Sequence, residues 1–106
     1  MAARERAWRS EDSQLMDVER YRAFTALARD VVGRFGSRVD ERTLRYLGSL
    51  AQGGEWGLAV AGLAAAIDAQ QISITATDYA DFERLFAFLE PERHWLDKLG
   101  EHIVAS

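Results

Sequence analysis

The sequence predicts an all-α fold, an irregular bundle of four to five helices, and three observations carry that prediction. Apolar residues recur at steps of three and four through most of the chain, glycines fall at the ends of those stripes, and the single proline, Pro91, sits between two of them. No stretch supplies a sheet: Gln71-Ile72-Ser73-Ile74 alternates over four residues with no second strand to pair with, so it reads as an extended connector. At 106 residues, with 48% apolar and 28% charged side chains, the chain has the composition of a globular protein and the length of one domain with one core.

Residues 1–14, ending Arg9-Ser10-Glu11-Asp12-Ser13-Gln14, show no sustained period. They read as a mobile N-terminal arm or a short extra turn, carrying Trp8, ahead of a single helical domain over 15–106. From about Asp17 to Phe35, Tyr21, Phe24, Leu27, Ala28, Val31 and Phe35 collect on one face and predict the longest helix. Gly36-Ser37 follows as an expected left-handed stop. Asp40 then caps a shorter helix with Leu44, Leu47 and Ala51 on one side, which ends at Gly53-Gly54 and is expected to run antiparallel to the first.

A third helix is expected from Glu55 to about Gln70, with an unbroken stripe of Trp56, Ala59, Val60, Leu63, Ala64 and Ile67. Its alanines and Gly62 allow close neighbours, which predicts a central position with Trp56 in the core. Thr75-Ala76-Thr77-Asp78 has the spacing of a capping box, with Ile74 and Tyr79 placed as its hydrophobic staple. Tyr79, Phe82, Leu85, Phe86 and Leu89 continue a fourth helix whose outer face is expected to carry Asp78, Asp81 and Glu83. Pro91 suits the first turn of a last helix, with Trp95, Leu96, Leu99 and Ile103 on its apolar side and Gly100 as a break.

Catalytic machinery is hard to find. The absence of cysteine excludes disulfides, thiolate metal sites and cysteine nucleophiles, and agrees with a reducing compartment. Neither His94 nor His102 has a serine or threonine partner at helical spacing, and His94 with Asp97 would make only a two-ligand metal site. Asp78 with Asp81 and Glu90 with Glu92 are paired carboxylates, but acid-base work needs one of them desolvated in a cleft, and exposed helix acids are the simpler account. Gly53-Gly54-Glu55 lacks the lysine of a phosphate loop and follows a helix instead of a strand. The expectation is a binding protein, not an enzyme, with no metal and no cofactor.

Charge is unevenly spread. Residues 1–45 hold ten of the thirteen basic side chains against eight acids, whereas residues 46–106 hold three against nine, which leaves the second half at −6. Such a surface repels phosphate backbones and attracts cationic partners, so nucleic acid is disfavoured as a direct ligand. No apolar run approaches the roughly 18 residues of a membrane span, and Arg4, Arg6 and Arg9 have no hydrophobic segment behind them, so a cytoplasmic location is expected. Trp8 and Trp95, near the chain ends, are candidate interface anchors.

One stretch has a family likeness. Gly54-Glu55-Trp56-Gly57-Leu58-Ala59, followed by a leucine and alanine helix and then by Ile72-Ser73-Ile74-Thr75 opening another at Tyr79, resembles the MafI-like family of small bacterial immunity proteins over roughly residues 20–100. The resemblance implies a helical, cytoplasmic inhibitor that neutralises a polymorphic toxin domain by one-to-one binding. Toxins of this kind are often nucleases with cationic clefts, which accords with the charge map. The expected contact residues are Asp68, Asp78, Asp81, Glu83 and Trp95, on a chain that is monomeric when free. The rival expectation is a small helical adaptor or homo-oligomeric interaction domain that uses an apolar patch near Trp8 or Trp95.

Overall fold

A computed structural model describes the backbone over residues 2–89 and 93–104 and the side chains over 17–89 and 95–104. Five helices follow one another: α1 (Ala2–Phe35), α2 (Glu41–Gln52), α3 (Trp56–Ala69), α4 (Ala76–Leu89) and α5 (Arg93–Gly100). The all-α expectation holds. Because α1 begins at Ala2, the segment read as a separate arm has helical backbone continuous with the rest of that helix. At about 1.5 Å per residue α1 reaches about 51 Å, which accounts for most of the molecule's 57 Å long dimension. The side chains of Trp8 and His94, and the whole of Glu90, Pro91 and Glu92, lie outside the described residues.

Helix α3 is central, as its small residues predict: it packs on α1, α2 and α5, and Ala59, Val60, Leu63, Ala64 and Ile67 are fully buried. Gly62 marks the closest approach, since a Cβ there would stand 3.1 Å from Tyr46 Cε2 of α2. The second helix therefore packs on α3 and makes little contact with α1. Trp56 departs from expectation as well. It is α3's first residue, at the margin of the bundle, so it is half-buried with the Arg29 guanidinium 5.5 Å from its ring centroid.

Helix ends show which local signals were sufficient. Asp40 accepts from the Thr43 amide at 2.8 Å, as its position before α2 predicts. At the other end Gly54 takes a left-handed φ of 73°, while the amides of Glu55 and Gly54 reach back to the carbonyls of Leu50 and Ala51; this is a Schellman stop. Helix α3 ends the same way without glycine: Gln71 carries a φ of 54° and the Ile72 amide donates to the Ile67 carbonyl. Gly36, by contrast, is not left-handed. Its amide donates to the Gly33 carbonyl and those of Arg38 and Val39 to Phe35, so α1 ends by tightening into right-handed turns.

The connector to α4 is tied down on both sides. Arg38 donates to the Ser73 carbonyl. The Ile74 amide donates to the His102 carbonyl at 2.9 Å and the Val104 amide to the Ile74 carbonyl at 2.8 Å, a single parallel bridge between Ile74 and Ile103. The connector thus has the pairing partner that its sequence did not reveal, though only over one residue. The capping box forms as its spacing predicts: the Thr75 hydroxyl accepts from the Asp78 amide and the Asp78 carboxylate from the Thr75 amide, each at 3.0 Å. Thr75→Ala is expected to cost about 1 kcal/mol, read as a lower urea midpoint with an unchanged slope.

Candidate functional site

Of the five residues expected to form an acidic contact surface, the structure places two inside. Asp78 and Asp81 are only 5% and 8% exposed, which corrects their assignment to the outer face of α4. Both occupy the spacing of the buried stripe, Asp78 four residues before Phe82 and Asp81 four before Leu85, so α4 turns them toward α1. There Arg34 meets them: its guanidinium donates to Asp78 at 2.6 Å and to Asp81 at 3.0 Å, and also to Asp30 at 2.7 Å within α1. Burial pushes the Asp78 carboxyl up, but the Thr75 amide, the Arg34 guanidinium and the Thr75 hydroxyl together hold it below the ordinary aspartate range. Arg34 is correspondingly raised, by Asp30 first and by Asp78 and Asp81 after it, against the opposing effect of burial. Three carboxylates around one guanidinium make a structural joint between α1 and α4.

Asp68 is half-engaged. It sits in the last turn of α3, where a carboxylate opposes the helix dipole, and it is compensated by His102 Nε2 at 3.0 Å and Lys98 Nζ at 3.5 Å. His102 is drawn inward by this contact, and only 9% of its side chain is exposed. The hydrogen bond from His102 is the main reason the Asp68 carboxyl lies below its usual range, with burial opposing and Lys98 assisting. Asp68 so ties α3 to α5 and the turn after it.

Glu83 is exposed, as expected. It lines a depression of about 250 Å³ between α4 and α5, with Tyr79, Leu96 and Asp97 as the other lining residues. Glu101, four residues beyond Asp97, is exposed too. From the sequence, Asp97 reads only as a candidate metal ligand with His94, and Glu101 carries no motif that marks it. Glu83 and Asp97 lie on different helices, so their pairing around one depression depends on how α4 and α5 pack, which no periodicity within either helix reveals. Trp95 is half-buried against the core.

Among the described residues no cluster of three or more histidines and acids could hold a metal ion, and no helix is long and apolar enough to cross a membrane. What this site can do chemically is bind: two carboxylates flank an aromatic and a leucine, an arrangement that fits a lysine or arginine side chain with its aliphatic stem on Leu96 and Tyr79. No family profile, curated protein or solved structure matches the chain.

Proposed function

We propose that this chain is an immunity protein that neutralises a cationic bacterial toxin domain by one-to-one binding, and that it does so through the α4/α5 face. The observation that carries the proposal is the exposed pair Glu83 and Asp97 around one depression with Tyr79 and Leu96, in the half of the chain whose net charge is −6. A rim of carboxylates around apolar side chains offers a basic side chain both charge and a place for its stem. The resemblance of the segment from Gly54 to Ala59 to the MafI-like family supports the same reading independently. The contact surface differs from the sequence expectation, since Asp78 and Asp81 serve Arg34 and Asp68 serves His102 and Lys98.

The neighbouring reading frame tests the proposal. If it encodes a large secreted protein with a variable C-terminal domain, expressing that domain alone should arrest growth, and co-expressing this chain should restore it with a one-to-one complex by light scattering. A neighbouring metabolic operon, or arrest that co-expression does not relieve, overturns it. Within such a complex, reversing Glu83, Asp97 and Glu101 to lysine should slow association about tenfold at low salt and leave dissociation nearly unchanged, as expected of rim charges. An unchanged association rate by stopped flow removes this face from the proposal.

A further inference from the structure

A second concavity lies on a different face of α4, where α4 runs beside α1. It is a groove of about 400 Å³, floored by Phe24 and Leu85 and walled by Leu27 and Phe88, with Arg20 on the α1 side and Arg84 on the α4 side. Phe24 and Phe88 stack with centroids 4.6 Å apart, and Tyr21 leans on Phe88 at 6.3 Å. Tyr21 itself is 48% exposed, so the apolar wall continues out of the groove along α1. Among the described residues, none that lines the groove is a carboxylate. Arg84 is 72% exposed and comes only within 3.8 Å of Asp81, whose other oxygen already serves Arg34.

We propose that this groove docks an amphipathic helix of a partner protein, one whose apolar ridge is flanked by carboxylates. Charge selects the flanks: guanidinium groups stand on both walls, and each prefers a carboxylate, which it can grip through two parallel donors. Shape selects the ridge. The segment from Arg20 to Leu27 spans about 10 Å of α1, or two helical turns, which matches apolar side chains at i, i+3 or i+4, and i+7 of a partner helix. The groove is open to solvent and not enclosed, which suits a chain lying across it better than a buried acyl tail. Glu83 and Arg84 are adjacent on α4, so the helix presents an acidic face and a basic face about 100° apart. This groove does not depend on the α4/α5 reading.

Fluorescence anisotropy on the whole chain tests the proposal with a labelled synthetic peptide of about 16 residues, long enough to be helical when bound, carrying leucines at the ridge positions and glutamates beside them. A counterpart with lysines in place of the glutamates is the control. The glutamate peptide should bind and the lysine peptide should not; the Arg20→Glu, Arg84→Glu double variant should weaken the first at least about tenfold and favour the second. Both arginines are on the surface, so that variant tests charge without disturbing the core. Ala23→Trp, which fills the groove, should abolish binding while the helical circular dichroism is kept; should this variant unfold, the charge reversal decides. Equal binding of both peptides, or indifference to the arginine reversal, overturns the proposal. So does displacement of the peptide by sodium laurate at equal occupancy, which would make the groove an acyl-chain site, or a self-associated dimer by light scattering that must dissociate before the peptide binds.

Discussion

Phe82→Ala is expected to bring the chain to the edge of unfolding. Phe82 is fully buried, and it joins two elements, with its ring centroid 6.1 Å from Phe35 of α1 and 6.2 Å from Phe86 one turn along α4. Removing a buried phenylalanine side chain costs about 3–5 kcal/mol, because the lost transfer free energy adds to the cavity left behind. Small domains have about 5–15 kcal/mol in total, so one substitution removes a large part of the margin. A fall of about 4–8 °C in Tm accompanies each kcal/mol at this size. Calorimetry should therefore show a drop of at least about 12 °C. A change of only a few degrees would mean that α1 and α4 close around the vacancy, contrary to the packing described.

The second large effect concerns Arg34→Met, which keeps the aliphatic stem and removes the cation. Asp78 and Asp81 would then lie buried with no guanidinium between them. Breaking a buried ion pair costs about 3–5 kcal/mol and an exposed one under about 1 kcal/mol. The Arg34 side chain is 36% exposed, so a loss of about 2–3 kcal/mol is expected between those limits.

The pH dependence has a definite sign. In the native chain the Asp78 carboxyl is depressed; its contribution is fully present above the ordinary aspartate value and is lost as pH falls through the folded-state value. Without Arg34 the burial that pushes this carboxyl up meets less opposition, so protonation relieves the variant. The stability gap between native and variant chains should be widest near about pH 7 and narrow toward about pH 4. Urea titrations at both pH values check this. A gap that widens on acidification would show that Arg34 acts through its stem and not its charge.

These two residues also show how far the sequence could be read. The positions of α2, α3 and α4 follow from apolar spacing and from Asp40, Gly54 and Thr75, because each is a local signal whose physics is completed within a turn of helix. Phe82 belongs with them, since its stripe alone marks it as core. Asp78 and Asp81 do not, although the clue was present: both fall on the buried spacing of α4, and a carboxylate there requires a cation from elsewhere. Arg34, three residues beyond buried Val31, was the cation, but its meeting with them spans 44 and 47 residues of chain. The same holds for the α4/α5 face. Glu83 is legible as an outward acid, while its pairing with Asp97 is a tertiary fact. The burial of His102 is a tertiary fact as well, since its partner Asp68 lies 34 residues away in the chain.

The bridge at Ile74 has a consequence for the order in which the molecule can be assembled. Before His102 has emerged from the ribosome, the Ile74 amide and carbonyl lack the partners they hold in the finished fold, and Asp68 lacks its histidine. Helices α1 to α4 can form and meet while synthesis proceeds, but the α3 to α4 crossover would remain unlatched during that interval. A nascent chain carried on a C-terminal extension and stalled when Leu89 has just cleared the exit tunnel should therefore be cut by protease between Gln70 and Thr75, and this sensitivity should disappear once the segment around Val104 has cleared the tunnel too.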